Sequence, residues 1–311
     1  MKRGVVAGRI LVTGATGYLG RRVAARAAAA GWSVVGTHLA TEPGEQAAEQ
    51  VSETARAGEQ AAEHAGERLD IRDPAAVHDL LRRVRPDAVV HTAAGRDRND
   101  WPSTADGAAN VAVAAAQLGV RLVHVSSDAI FSGRDPEYDE DAEPDPVYRY
   151  GCAKAAAETA VRAIAPQAAV VRTSLIIGDG NGAHELLTHA LVAGELTGAL
   201  FTDEVRNPVH VDDLADALVE LVGSGYRGVL NVAGADAVSR YDLGVLVALR
   251  DGLDPAAVPS GRIAGSGLNR PADLRLRLDK AASLLHTRLR GAHEFMTRAV
   301  PVPALKSSGH G

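Results

Sequence analysis

Tyr150 and Lys154 stand four residues apart in Tyr-Gly-Cys-Ala-Lys, a spacing that puts two side chains on one face of a helix. A free phenol titrates near pH ~10 and exchanges protons poorly at neutrality, and a neighbouring ammonium draws that value down. The pair is therefore a candidate acid–base couple. The spacing alone is common on helix surfaces, so the company it keeps matters. Upstream, Val-His-Val-Ser-Ser-Asp-Ala-Ile-Phe-Ser-Gly runs from Val123 to Gly133 and places Ser126 and Ser127 at the end of a strand. Open parallel sheets bind ligands at that carboxyl edge. A Ser127 hydroxyl there holds a carbonyl oxygen while Tyr150 supplies its proton. Ser126 reads as a cofactor contact or as a strand-end cap.

Such chemistry needs a redox partner, and the first residues offer a place for one. Ile-Leu-Val-Thr-Gly-Ala-Thr-Gly-Tyr-Leu-Gly sets Gly14, Gly17 and Gly20 between a strand and a helix. A tight glycine turn brings the backbone around Thr16, Tyr18 and Leu19 to a pyrophosphate, and the helix N-terminus adds favourable charge. The second strand ends in Thr37 and His38 rather than in a ribose-binding carboxylate. Arg21, with Arg22 beside it, stands where a guanidinium would meet a 2′-phosphate; a solvated helix face is the other reading. NADP(H) is favoured and NAD(H) left open. Asp70 and Ile71 follow the third strand, where they suit an adenine amine and ring, although Asp70 also suits a turn cap. Ala93 and Ala94 end the fourth with small side chains that let the backbone approach the cofactor. His91 beside them reads as a packed strand residue.

The elements that must hold these groups alternate short apolar runs with amphipathic segments, the pattern of a parallel sheet covered by helices. Strands are predicted at Arg9–Thr13, Ser33–Gly36, up to Leu69–Asp70, Ala88–Ala93, Arg121–Ser126 and Ala168–Ile177. Helices are predicted at Tyr18–Ala30, Ala75–Val84, Ala105–Leu118 and Tyr148–Ala165. The fold class is α/β, a Rossmann-type doubly wound parallel sheet over 1–175 with a smaller C-terminal lobe over 176–300. Parts of 205–235, with a helix at Asp212–Val222 and a strand at Val229–Val232, are expected to return to the sheet domain. Residues 41–68 read as a polar insertion and 301–311 as a flexible tail.

The net charge of −6 gives no basic footprint for nucleic acid. A single cysteine, Cys152, excludes an internal disulfide and suits a reducing cytoplasmic setting. No apolar run is long enough for a membrane span. His210, Asp212 and Asp213 look like metal ligands at first sight, but one aspartate reads better as a helix cap, and no metal is expected.

Taken together, Gly14-x-x-Gly17-x-x-Gly20, Asp70-Ile71, Ser126-Ser127-Asp128, Tyr150-x-x-x-Lys154 and Arg172-Thr173-Ser174 resemble the extended short-chain dehydrogenase/reductases. Within them, Ser-Ser-Asp-Ala-Ile-Phe-Ser-Gly resembles the dTDP-4-dehydrorhamnose reductase group. The resemblance implies NAD(P)H reduction of a nucleotide-linked 4-keto sugar, with Ser127, Tyr150 and Lys154 as the catalytic trio. It implies cofactor contacts that include Tyr150, Lys154, Ser126 and Thr173, and substrate contacts at Ser127, Asp128, Phe131 and Arg206. Arg206 reads equally as part of a structural ion pair. Asn110 aligns with an asparagine that fixes its helix near the site, a surface amide being the other reading. The chain departs from the group at Gly95-Arg96-Asp97-Arg98 and at Asp203–Val209, which leaves the sugar and base contacts open. A dehydratase is disfavoured because Asp128 is followed by Ala129, not glutamate. A nucleotide-sugar epimerase and a non-catalytic NADP-binding regulatory subunit remain alternatives, and a homodimer is left open.

Overall fold

A computed structural model describes residues 8–39, 66–95, 97, 99–135 and 137–297. Within it, seven parallel strands form the central sheet. Their order is Gly228–Asn231, Ala169–Arg172, Arg121–Val125, Ala88–His91, Arg9–Thr13, Ser33–His38, Gly66–Arg68. Chain order reverses beside Arg9–Thr13, whose neighbours are the second and fourth strands. That switch point opens a crevice at the carboxyl edge. The architecture is a Rossmann-type doubly wound sheet.

Alternation along the strands decides what each face buries. Ile10, Val12, Val90, Val123 and Val171 point to one side, against the helices Tyr18–Ala29 and Val211–Ser224. Leu11, Val89, Leu122 and Val170 point to the other, against Pro74–Val84, Gly107–Leu118 and Arg149–Ile164. Asp73 starts one of these helices by accepting from the Ala75 and Ala76 amides, with Pro74 at the first helical position, which needs no amide donor. A second sheet has the order Val238–Ser239, Val205–Arg206, Asp273–Leu276, Glu137–Tyr138.

Several boundaries differ from the sequence reading. The third strand is Gly66–Arg68, so the C-terminal end of the 41–68 segment is an edge strand and not insertion; residues 40–65, like the 301–311 tail, lie outside the described residues. The predicted strand Ala168–Ile177 is split into Ala169–Arg172 and Ile176–Ile177, because the second piece pairs with Val209–His210 instead of the large sheet. The helix expected from Ala105 starts with a π-helical stretch, Pro102–Asp106, before Gly107–Leu118. His210, rather than either aspartate, caps the helix Val211–Ser224: its ring Nδ1 accepts from the Asp212 amide. Asp213 is instead paired with Arg290 at 2.7 Å.

Candidate active site and cofactor cleft

Two openings lie at the carboxyl edge of the sheet. The first, about 520 Å³, is walled by Gly14, Thr16, Gly17, Thr37, His38, Leu39, Asp70, Ile71, Ala93 and Ala94 among others. Gly14 takes φ +72°, a backbone region suited to glycine. Gly20 is pressed against that turn, since a Cβ there would overlap the Gly14 carbonyl oxygen. Gly17 caps the helix Tyr18–Ala29 without a side-chain bond, and no acidic residue occupies the first turn. The cleft therefore meets a helix end whose amides have no intrahelical partner, a fit for a pyrophosphate. Leu19 and Gly20 are buried and line neither opening.

Arg21 does not line this cleft; its guanidinium lies over the Tyr18 ring, 5.2 Å from the centroid. Arg22 pairs with Asp179. Among the cleft's described wall residues the one basic side chain is His38. Thr37 Oγ1 accepts from the Gly14 amide at 3.3 Å and so ties the second strand to the turn. The Asp70 carboxylate is paired with Arg72 at 2.6 Å; its pKa is lowered chiefly by that hydrogen-bonded guanidinium.

The second opening, about 510 Å³, holds Ser127 and Tyr150 in one wall, with Asp128, Tyr148, Ser174, Glu204 and Arg206. Ser127 ends its strand in extended geometry, and its Oγ accepts from the Ala129 amide at 3.2 Å while lying 3.2 Å from Asp128 Oδ1. Asp128 is buried and accepts from Ser174 Oγ at 2.6 Å. Burial pushes its pKa up, opposed by Arg206 and by the two serines. Tyr150 rides on the helix Arg149–Ile164, which presses close because Gly151 has no Cβ; one there would overlap the Ala129 carbonyl oxygen.

Lys154 lies one turn on, buried and in the lining of neither opening. Its Nζ donates to the Val125 carbonyl at 2.7 Å. Burial lowers its pKa to about 8, with Glu158 acting against the shift, so the amine is mainly protonated at neutral pH.

A matching family model, described as the RmlD substrate binding domain, spans residues 8–301. The dTDP-4-dehydrorhamnose reductase of Mycolicibacterium smegmatis is 31% identical over 313 residues, covering 95% of this chain and 86% of that protein. This chain belongs to the RmlD-like family of extended short-chain dehydrogenase/reductases. Membership places it among the NAD(P)-dependent oxidoreductases. Methionine adenosyltransferase 2 subunit beta of Rattus norvegicus is also similar, 27% identical over 303 residues, covering 89% of this chain and 82% of that one. Among solved structures, dTDP-4-dehydrorhamnose reductase of Bacillus anthracis in complex with NADP superposes with a TM-score of 0.75 at 22% identity. It covers 93% of this chain and 97% of its own.

Other expected site residues are placed elsewhere in this family member. Phe131 is not a substrate contact: it is fully buried, stacked on Tyr138 with centroids 4.0 Å apart and lying under the Arg172 guanidinium. Ser126 is buried and lines neither opening, its hydroxyl donating inward to Glu158 Oε2 at 2.8 Å. Thr173 is buried and in neither wall; its carbonyl accepts from the Asp128 amide at 2.8 Å. Arg206 reaches the cavity wall, but its guanidinium donates to the carbonyls of Val205, Ala272 and Pro271 and pairs with Glu204 at 3.3 Å. Asn110 donates to the carbonyls of Ile71 and Arg72, fastening its helix to the loop after the third strand.

The cavity also gathers residues that sequence reasoning missed: Asn99, Tyr148, His184, Glu204, Arg240 and Arg270. Tyr148 had a signal, being two residues before Tyr150. The arginines had none, because Arg240 and Arg270 reach the cavity from segments far apart in the chain.

Proposed function

We propose that this protein is an NADP(H)-dependent reductase of a nucleotide-linked 4-keto sugar, similar to dTDP-4-dehydrorhamnose reductase. The observation that carries the reading is that Ser127 and Tyr150, distant in sequence, line one cavity at the sheet edge. Residues Gly14 to Gly20, Thr37, His38, Ile71, Ala93 and Ala94 would hold the dinucleotide. When bound, its reduced nicotinamide supplies the hydride. The Ser127 hydroxyl holds the keto oxygen, and Tyr150 gives that oxygen its proton, leaving an alcohol. Lys154 keeps positive charge behind the phenol, which favours the phenolate left after transfer. Asp128 orients Ser127 from below.

The preference for NADP(H) is supported by Thr37 and His38 at the position of a ribose carboxylate and by the NADP complex of the Bacillus anthracis relative. Residues from about 176 onward, apart from the returning helix and strand, form the substrate lobe in this reading. A cytoplasmic location suits the lone cysteine.

Purified protein given NADPH and a dTDP-4-keto-6-deoxyhexose is expected to consume NADPH absorbance, and more efficiently than with NADH. Tyr150→Phe should lower kcat by about 10²–10⁴, the usual worth of a positioned proton donor. An unchanged rate in that variant rejects Tyr150 as the donor.

The similarity to the adenosyltransferase subunit supports a second reading, a non-catalytic dinucleotide-binding subunit. A stoichiometric partner captured by the purified chain, together with no turnover on keto sugars, would put that reading first.

A further inference from the structure

Tyr18 follows Gly17, which lines the cofactor cleft, but itself lines the other opening. It is the first residue of the helix Tyr18–Ala29, so its amide sits at the phosphate-facing helix end, yet its ring lines the cavity that holds Ser127 and Tyr150. Its hydroxyl lies 3.3 Å from Asp179 Oδ1 and 3.4 Å from Glu185 Oε2, and the Asp179 amide points to it at 3.4 Å. Gly178 makes room for it: a Cβ there would stand 2.5 Å from the Tyr18 oxygen. Arg21 covers the ring from outside. Burial, then the charges of Glu185 and Asp179, push the phenol's pKa up, so it stays a neutral donor.

Glu185 is the centre of the segment that Tyr18 touches. It is fully buried. It accepts from the amides of Gly178, Gly180 and Gly182 at 3.3, 3.0 and 2.8 Å, and pairs with Arg250 at 2.6 Å. That hub sets the path of the turn before the helix Ala183–Val192, whose Ala183 and His184 lie in the cavity wall. One side chain thus links the glycine turn to the far wall of the substrate site.

We propose that Tyr18 is a positioning residue through which dinucleotide occupancy of the glycine turn orders the Gly178–Gly182 turn, and with it the Ala183 and His184 lining that follows, and tightens substrate binding. The inference rests on the dinucleotide and nucleotide-sugar assignments above. Its physical basis is that a ligand on the Gly17–Tyr18 amides fixes the tyrosine backbone. The hydroxyl then has fewer positions, and so does the turn it contacts. Ordering already done by the first ligand need not be done by the second, and the effect is reciprocal.

The test measures dTDP affinity by calorimetry with and without saturating NADP. The wild type is expected to bind dTDP about tenfold more tightly when NADP is present, a usual size of coupling, and Tyr18→Phe to retain less than about twofold. Amide exchange over 178–185 should slow on NADP addition in the wild type and not in the variant. Gly178→Ala, whose Cβ would crowd both the Tyr18 hydroxyl and Val211 Cγ1, should lose the same coupling. Full coupling in Tyr18→Phe, or independent binding of both ligands by the wild type, overturns the inference while leaving the proposed function standing. Absence of any NADP binding removes both.

Discussion

Close to the Lys154 charge the sheet carries two stacked imidazoles. His91 and His124 are register partners on adjacent strands, buried, with ring centroids 5.3 Å apart. Thr13 Oγ1 meets His91 Nδ1 at 2.7 Å, while both nitrogens of His124 lack a partner among the described residues. Burial first, and the Lys154 charge second, lower the His91 pKa to about 3 and push that of His124 well below its ordinary 6.5. The native state therefore holds both rings neutral where an unfolded chain would bind protons. Their effect is absent at pH values well above 6.5, and stability is lost as pH falls from about 6.5 toward 3, by at most about 1.4 kcal/mol per unit for each ring. His124→Leu should flatten that acid-side loss in denaturation curves taken between neutral and mildly acidic pH. Equal slopes for variant and wild type would show that the ring does not titrate as its burial implies.

The helix Arg149–Ile164 is the element on which the site depends. It buries Gly151, Ala153, Lys154, Ala157, Glu158 and Val161, a stripe at helical spacing in which Gly151, Ala153 and Ala157 let the axis come close to the sheet. Glu158, with no exposed surface, accepts from Ser126 Oγ at 2.8 Å and from Arg172 Nη2 at 2.6 Å. Arg172 continues to the carbonyls of Asp139 and Glu140 and covers Phe131. This buried pair explains why Ser126 and Phe131 face the core. Gly151→Ala forces the helix away from the Ala129 carbonyl, a change expected to cost about 1–3 kcal/mol as overpacking does. Tyr150 moves with it, so kcat should fall well beyond any loss in Thr159→Ala, an exposed position on the same helix. A Gly151→Ala enzyme with wild-type turnover would mean that Tyr150 does not need this packing.

Across the whole molecule, the helix Tyr18–Ala29 is tied to later parts of the chain by Arg22 with Asp179 and by Arg26 with Asp212 and Asp216, the latter two at 3.3 and 3.4 Å. These pairs are partly exposed and individually weak. The glycine cleft is the stronger lever, because a ligand that binds only the folded state stabilises it by mass action. NADPH at about a hundred times its dissociation constant should add about 2.7 kcal/mol, seen as a rise in Tm. Gly20→Ala should abolish the rise, since its Cβ would displace the Gly14 turn. A shift that survives this substitution places the dinucleotide elsewhere. No helix among the described residues is long and apolar enough to cross a membrane.

Local pattern was sufficient for the parallel sheet, the glycine turn and the Tyr150–Lys154 helix, because each is written in a period, a cap or a glycine needed at one backbone position. Even Ser127 was legible, sitting where a buried strand meets the sheet edge. Side-chain direction was not. Ser126 and Phe131 share a motif with the wall residues Ser127 and Asp128, and only packing decides which face each presents. The far wall, with His184, Glu204, Arg240 and Arg270, was likewise decided by the tertiary structure. Its strands at Leu200–Phe201, Val205–Arg206 and Val238–Ser239 are two residues each, too short to carry a period. Their positions follow from contacts between segments far apart in the chain.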